Sequence, residues 1–338
     1  MVSMKDISQR CGVSVATVSK ALNDQSDISE ETKKLIRDVA RQMGYLPNAS
    51  AKQLKTNRSY NIGVLMMDEA GMGLTHDFYG EILENIRATC EERGYDITFI
   101  NCNEKAKKMT FLEHSRYRGL DGVAVVCAGY EDPEVVELVN SDLPVVTVDH
   151  IFNGISAVIS DNVKGMRELT GYICSEMGHR RIAYIHGTDS AVTRNRVASF
   201  YRTLEELGEK VPDEYICQGA YRDTGISHDY TLKLLNMKEP PTCIIYPDDF
   251  ALLGGLNAIQ EMGMSVPGDI SIAGYDGINI SRVLEPNITT IKQDTALMGK
   301  RTAECLINLI EKPKTTIIER VVVEGRLLKG GSVRSLKD

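Results

Sequence analysis

From residue 61 onward, the sequence alternates short apolar runs with amphipathic stretches of helical spacing. Apolar runs separated by helices predict parallel β-α-β units, and there are too many units here for one sheet of usual size. We therefore expect two doubly wound parallel-sheet subdomains with a cleft between them. The predicted strands are residues 62–67, 97–100, 122–126, 144–148, 181–186, 243–246 and 270–273. The predicted helices are residues 79–93, 105–117, 133–140, 162–177, 195–207, 225–236, 249–262 and 294–311.

Polar side chains follow several of the predicted strands, where ligands bind in sheets of this kind. Carboxylates accept bonds from neighbouring hydroxyls, an arginine donates a fork, and aromatic faces pack on the C–H faces of a sugar. This combination predicts a polyhydroxylated ligand, although an Asp at a helix start is also a common N-cap. The candidate polar residues are Asp68, Asp149, Asp248, Asp249, Asp276 and Arg196. The candidate aromatics are Phe78, Tyr79, Phe200, Tyr221, Phe250 and Tyr275.

Residues 4–23 have the pattern of two short helices joined by a tight turn. Ile7 and Cys11 are spaced to form one apolar stripe, and Val18 and Leu22 form another. Gly12 supplies the positive φ of the turn, and the hydroxyl of Ser14 can cap the second helix. An ordinary helical hairpin would share this pattern, but the outward residues suit a DNA major groove. Those outward residues are Val15, Ala16, Thr17, Ser19 and Lys20.

The charge distribution favours DNA binding by this N-terminal segment. Residues 1–60 hold ten Lys and Arg against six acids, whereas residues 61–338 hold 29 against 41. A basic head on an acidic body is typical of a small module that binds a polyanion. A third helix begins near Ser29, with Leu35, Val39 and Met43 as its predicted core-facing stripe. The segment 49–56 predicts a marginal helix that orders only when bound.

The length of 338 residues predicts two or three domains, and several function classes are disfavoured. No signal-like apolar segment or membrane-length run is present, so we expect a cytoplasmic protein without a membrane partner. The eight cysteines form no C-x-x-C pair, which predicts reduced thiols, no metal site and no cofactor. Residues 71–76 partly match the glycine pattern of dinucleotide-binding proteins, but His76 occupies the position of the third glycine. Without a phosphate-cradle or nucleophile motif, we expect no enzyme.

Twelve segments, in collinear order over some 320 residues, resemble the lactose-repressor/galactose-repressor family of bacterial transcription regulators. They include GVSVATVSKALN at 12–23, GHRRIA at 178–183 and VPGDIS at 266–271. The remaining segments are residues 5–7, 29–32, 44–49, 62–64, 93–95, 121–123, 144–146, 240–244 and 289–293.

The resemblance implies an all-α helix-turn-helix head followed by an α/β core like that of periplasmic binding proteins. The implied domains are a DNA-binding domain at 1–46, a hinge helix at 47–58 and an effector-binding and dimerisation core at 59–338. The core divides into an N-subdomain of about 60–161 and 293–323 and a C-subdomain of about 162–292 and 324–338. It also implies a homodimer on pseudo-palindromic, double-stranded operator DNA.

The resemblance assigns roles residue by residue. It implies an apolar wedge at Leu54 that enters the minor groove and kinks the duplex. The implied major-groove residues are Ser14, Val15, Ala16, Thr17, Ser19 and Lys20. The implied hinge residues are Asn48, Ala51, Leu54 and Lys55. The implied effector-binding residues are Phe78, Asp149, Arg196, Tyr221, Asp249 and Asp276.

Departures from the family pattern bear on the effector. Asp248 stands where an Asn is usual, Gly277 where a second Asp is usual, and His150 where an Arg is frequent. More acids and fewer cations disfavour an anionic ligand, so we expect a neutral sugar or glycoside. A sugar-binding solute receptor without a DNA function is the alternative, and the basic head disfavours it.

Overall fold

The computed structural model describes residues 2–46, 58–67, 73–100 and 109–337. The chain divides into two compact units, Met1–Ser59 and Tyr60–Asp338. None of the helices in the described ranges has the length and apolar character needed to cross a membrane.

The first unit is a three-helix head, consisting of α1 Met4–Cys11, α2 Val15–Leu22 and α3 Glu30–Gln42. Gly12 ends α1 with φ of 66°, a left-handed conformation that is unstrained only for glycine. The Ser14 hydroxyl accepts the Thr17 N–H at 3.0 Å and caps α2, as predicted. All three helices contribute to one small core, whose buried apolar members are Ile7, Val18, Ala21, Ile36 and Ala40.

The core-facing side of α3 differs from the prediction. Ile36 and Ala40 are buried, Val39 and Met43 lie at the edge of the core, and Leu35 is 51% exposed. The prediction of Leu35 as a core residue is therefore wrong. Two adjacent rows of α3 carry apolar side chains four residues apart, and spacing alone does not say which row faces the other helices.

The second unit contains twelve strands and nine α-helices in its described residues. Its strands are β1 Asn61–Met66, β2 Asp96–Ile100, β3 Gly122–Cys127, β4 Val145–Val148, β5 Ser156–Ser160, β6 Ile182–His186, β7 Ile216–Gln218, β8 Cys243–Ile245, β9 Ser271–Ala273, β10 Thr290–Lys292, β11 Arg320–Val323 and β12 Arg326–Leu328. Its helices are α4 Asp77–Glu92, α5 Phe111–Tyr117, α6 Pro133–Val139, α7 Asn162–Gly171, α8 Ala191–Glu206, α9 Thr224–Leu235, α10 Leu252–Glu261, α11 Asn279–Val283 and α12 Thr295–Glu311.

These strands build two parallel sheets. The larger has the order β11-β5-β4-β3-β1-β2, with α4 and α12 packed together on one face. The smaller has the order β7-β6-β8-β9. A short antiparallel pair, β10 and β12, adjoins its β9 edge through single parallel bridges between Ala273 and Thr289 and between Asp276 and Lys292. Each sheet carries apolar clusters on both faces, as expected for doubly wound sheets.

The chain crosses between the parts of this unit three times. The crossovers lie between β5 and α7, between β10 and α12, and between β11 and β12. The last helix, α12, therefore returns to the larger sheet, as does β11 after it, while the residues that follow β12 bond to the smaller sheet. For example, the Ile272 N–H donates to the Ser332 carbonyl at 3.0 Å.

All seven predicted strands are present, with ends that differ by at most one residue. Strands β5, β7, β10, β11 and β12 and helix α11 were not predicted. Part of the predicted helix 105–117 lies outside the described residues, and its described portion is α5. The predicted helix 162–177 is α7 followed by a π-helical turn, Tyr172–Glu176.

Candidate functional site

Side chains at the carboxyl ends of strands from both sheets line a cavity of about 880 Å³. Seven acidic side chains and three arginines from the described residues line it, so its walls carry an excess of negative charge. The acids are Glu131, Asp132, Asp149, Asp189, Asp223, Asp248 and Asp276. The arginines are Arg194, Arg196 and Arg222. No group of three or more His, Cys, Asp or Glu in the described ranges could hold a metal ion.

Arg196 is a buried cation in this wall, 3% exposed, on the second turn of α8. Its Nε donates to Oδ1 of Asn162 at 2.7 Å, and its Nη1 donates to the Pro247 carbonyl at 3.0 Å. The guanidinium carbon lies 3.5 Å from the centroid of the Tyr275 ring, and Nη2 lies 3.8 Å from Oδ1 of Asp276. These contacts fix the guanidinium in one orientation at the cavity wall.

Two carboxylates from different sheets face the same cavity. Asp149 follows β4, has φ of 54°, and accepts the Ser160 N–H at 2.7 Å. Asp276 follows β9 in a left-handed conformation with φ of 95° and accepts from Nε2 of Gln293 at 2.6 Å. Burial raises the pKa of Asp149 to about 6; Asp276 adds to the shift, and the Ser160 N–H and Arg196 oppose it.

Asp248, after β8, organises the loop that leads into α10. Its Oδ1 accepts the N–H groups of Phe250 and Ala251 at 2.9 and 2.7 Å, and its Oδ2 accepts the Arg222 N–H at 2.7 Å. Burial raises the pKa of this carboxyl, and the neighbouring Asp276 raises it further. Asp248 therefore shapes the cavity wall mainly through its bonds to the backbone.

Aromatic side chains complete the walls. The Tyr221 hydroxyl lies 2.8 Å from the Thr193 hydroxyl, and the ring packs so closely on Gly187 that a Cβ there would lie 2.2 Å from it. Tyr130 and His150 stack with centroids 4.1 Å apart and planes at 10°. Burial, with Arg194, lowers the pKa of His150, so its ring is neutral at pH 7.

The head presents part of α2 to solvent. Val15 is 44% exposed, Ala16 is exposed, and Lys20 is exposed while forming an ion pair with Asp27. Ser14 is exposed while its hydroxyl lies 2.9 Å from that of Thr17. Thr17 and Ser19 are half-buried. Small side chains on an exposed helix allow close approach to base edges.

Comparison with known families identifies both parts of the chain. Residues 3–48 match the family described as bacterial regulatory proteins, lacI family. Residues 174–333 match a periplasmic binding protein-like domain. The chain therefore carries a lacI-family regulatory domain followed by a periplasmic binding protein-like domain. The predicted fold class, a helix-turn-helix head and a periplasmic-binding-protein-like core, is confirmed.

Relatives that match along their whole length have the same arrangement of domains. The HTH-type transcriptional repressors PurR of Pectobacterium atrosepticum and Escherichia coli are each 28% identical to it, over 100% of both chains. These relatives are regulators, and the expectation that the chain is no enzyme is confirmed.

Solved structures share the fold. A Lac repressor dimer bound to operator and the anti-inducer ONPF has a TM-score of 0.81 at 24% identity, over 99% of both chains. A complex of the transcriptional regulator CelR with cellobiose has a TM-score of 0.71 at 24% identity, over 98% of this chain and 100% of that one. A LacI-family regulator from Enterococcus faecium with bound ribose has a TM-score of 0.71 at 22% identity, over 82% and 100%.

The structure brings most of the predicted effector-binding residues together. Five of the six line the cavity, namely Phe78, Asp149, Arg196, Tyr221 and Asp276. Asp249 does not line it: its Oδ2 accepts the Ile278 N–H at 3.0 Å, and its Oδ1 is directed at Gly274. Its neighbour Asp248 lies at the cavity instead.

The predicted hinge residues Asn48, Ala51, Leu54 and Lys55 lie outside the described residues, as does the candidate Asp68. Sequence reasoning also missed residues that hold the cavity groups in place. Ser160, Asn162 and Gln293 bond to Asp149, Arg196 and Asp276, respectively. Their signal was a polar residue at or directly after a short strand, at β5 and β10, and neither strand was predicted.

Proposed function

We propose that this chain is an effector-responsive transcriptional repressor that binds a pseudo-palindromic operator as a homodimer. A neutral sugar or glycoside in the cavity changes its affinity for the operator. The observation that carries the proposal is the presence in one chain of a helix-turn-helix head and of a cavity walled by two sheets. Such a protein acts where the DNA is, in the cytoplasm.

The exposed face of α2 supports the major-groove assignment. Val15 and Ala16 are small enough to pack against base edges. Lys20 can reach a base or a phosphate when its ion pair with Asp27 breaks. Asn48, Ala51, Leu54 and Lys55 remain predicted minor-groove and hinge residues. We also propose the division into 1–46, 47–58 and 59–338, with subdomains of about 60–161 and 293–323 and about 162–292 and 324–338.

The wall chemistry favours a neutral, hydroxyl-rich effector. Asp149 and Asp276 offer acceptor oxygens from opposite walls, Arg196 offers a fixed guanidinium, and Tyr221 offers an aromatic surface. An anionic ligand would meet seven acidic side chains against three arginines in the described part of the lining. The volume of about 880 Å³ is large for a single sugar ring and leaves room for a glycoside or disaccharide.

The relatives support the same class of function. PurR is named a repressor, the Lac repressor structure is a dimer on its operator, and CelR was solved with cellobiose. The identities of 22–28% in these comparisons leave the effector of this chain to be determined by its own cavity.

Isothermal titration of the purified full chain tests the effector class. The ligands are neutral mono- and disaccharides including cellobiose and ribose, sugar phosphates, and purine bases. We expect saturable binding of at least one neutral sugar or glycoside. Binding only to purine bases or to sugar phosphates would contradict the proposed effector.

A further inference from the structure

Five buried polar residues form a closed ring of contacts at the crossovers of the core. Gln293 Nε2 donates to Asp276 Oδ1 at 2.6 Å, and Asp276 lies 3.8 Å from Nη2 of Arg196. Arg196 donates to Asn162 at 2.7 Å; Asn162 Nδ2 donates to the Ser160 carbonyl at 3.1 Å; and the Ser160 hydroxyl donates to Gln293 Oε1. We call this set the crossover ring, and it consists of Ser160, Asn162, Arg196, Asp276 and Gln293.

The crossover ring joins two of the three connections between the sheets. Ser160 ends β5 and Asn162 begins α7, so both lie at the first crossover. Gln293 lies between β10 and α12, at the second crossover, and its backbone N–H also donates to the Asp276 carbonyl at 3.2 Å. A change in the angle between the subdomains must therefore alter the ring.

The ring also connects the opposite walls of the cavity. The Ser160 N–H donates to Oδ1 of Asp149, which follows β4 of the larger sheet. Asp276 follows β9 of the smaller sheet. The path from Asp149 to Asp276 passes through Ser160 and Gln293, so the two carboxylates that face the cavity are linked through both crossovers.

Gln293 is the member whose chemistry fixes the ring. The carboxylate of Asp276 can only accept, so the amide nitrogen of Gln293 must face it and the amide oxygen must face the Ser160 hydroxyl. All five members are at most 9% exposed, so water cannot readily replace a lost partner. Loss of one partner would therefore leave a buried polar group without a hydrogen bond.

We propose that Gln293 is a positioning residue that couples the two cavity walls through the crossover ring, so that a ligand engaging Asp149 or Asp276 acts on both crossovers together. This role rests on the proposed function, because it describes how the effector cavity communicates with the hinge between the subdomains. The side chain of Gln293 contacts the cavity carboxylate and the first crossover at once, and it requires no direct bond to the effector.

Hydrogen exchange of the full chain, without effector or operator, tests the coupling. In Gln293→Met, which keeps side-chain length but cannot hydrogen-bond in this way, exchange of the Ser160 amide should rise at least about tenfold. The reciprocal variant Asp149→Ala should speed exchange of the Gln293 amide. Thr203→Val is the matched control, because Thr203 is 5% exposed and bonds only within α8, to the Ser199 carbonyl at 2.7 Å. It should change neither amide by more than about twofold.

Gln293→Glu gives a pH-dependent rescue that a loss of packing would not produce. A protonated Glu can donate to Asp276 and accept from Ser160, whereas an ionised Glu is repelled by Asp276. Exchange at Ser160, relative to wild type at the same pH, should be near normal at about pH 5 and accelerated at about pH 8. The charged groups that face or flank this position are Asp149, Asp248, Asp276, Asp294, Arg196 and Lys292, and Glu81 of α4 pairs with Lys292 at 3.1 Å.

Two results would overturn the proposal. One is acceleration confined to the residues next to 293, with the Ser160 amide as protected as in wild type. The other is a Gln293→Glu variant whose exchange at Ser160 relative to wild type does not change with pH. Neither measurement uses an effector, so a negative outcome would leave the sugar assignment intact, and failure of all sugars to bind would leave the ring intact.

Discussion

The surroundings of Asp149 make the ionised form of its carboxyl group unfavourable. Its pKa of about 6 results mainly from burial, and Asp276 on the opposite wall adds to the shift. An Asp in the unfolded chain titrates near 3.9, so the folded state retains a proton that the unfolded state has lost between about pH 4 and 6. The stability that depends on this group therefore falls as pH rises through that window.

Replacing Asp149 with Asn should remove this pH dependence. The amide oxygen still accepts the Ser160 N–H but carries no charge. The free energy of unfolding of Asp149→Asn, relative to wild type, should rise by about 1–3 kcal/mol between about pH 4 and pH 7.5. Urea denaturation at both pH values measures it. A difference that does not change with pH would mean that the carboxylate of Asp149 is not desolvated.

Arg196 and Arg194 give a matched pair on one helix. Arg196 is 3% exposed and bonds to Asn162 and Pro247, whereas the Arg194 side chain is 64% exposed and pairs with Asp189 at the cavity mouth. For the neutral sugar that binds wild type, Arg196→Ala should weaken binding at least about 100-fold, or about 3 kcal/mol. Arg194→Ala should weaken it less than about fivefold, because exposed ion pairs contribute little.

Titration calorimetry on both variants provides the measurement, with circular dichroism to verify folding. Operator affinity without sugar should be unchanged in both. Equal losses in the two variants would show that Arg196 is not the guanidinium that holds the sugar.

At the scale of elements, α3 shows where sequence spacing becomes ambiguous. Leu35 and Ile36 are adjacent, both are apolar, and each has an apolar residue four positions later, yet only Ile36 is buried. The choice between them depends on the position of α1 and α2 around α3, which is tertiary information.

Truncation of each residue should separate their contributions. Ile36→Ala should destabilise the head by about 2–4 kcal/mol, because it leaves a cavity among Ile7, Val18 and Ala21. Leu35→Ala should cost about 0.5 kcal/mol or less, because its side chain is already solvated. Hydrogen exchange of α1–α3 amides in the full chain measures both. Similar losses in the two variants would contradict the observed burial.

The strands show what a single sequence does and does not determine. Runs such as Val123–Val126 are buried on both faces and therefore apolar throughout, which makes them visible without any partner. Strands β7, β10 and β12 each include a long polar side chain, Gln218, Lys292 and Arg326, so no apolar run marks them. Strand β11 is formed by pairing with β5, more than 150 residues earlier. The crossover ring was missed for the same reason.

The residues that line the cavity were predictable to the level of a loop. Polar residues at strand ends indicated the cavity, but the choice between Asp248 and Asp249 depended on the course of one turn. Asp248 accepts hydrogen bonds from three backbone N–H groups, and these bonds form only in the folded loop. In this loop, Asp249 points away from the cavity and accepts the Ile278 N–H.

At the scale of the whole molecule, the proposed repressor works by differential affinity. An effector shifts operator binding only to the extent that it binds one arrangement of the subdomains better than another. Allosteric coupling of this kind is typically about 1–3 kcal/mol, which corresponds to a change of about 5- to 150-fold in operator affinity. The crossover ring includes two of the three segments that connect the sheets, so we expect it to differ between these arrangements.

The most direct measurement of this switch is the affinity of the full chain for a DNA duplex selected from a random pool, by fluorescence anisotropy, with and without the neutral sugar that titration identifies. We expect a pseudo-palindromic duplex, and an affinity that the sugar changes by about 5- to 150-fold in wild type and leaves unchanged in Arg196→Ala. A sugar that saturates the cavity of wild type without changing operator affinity would contradict the proposed function.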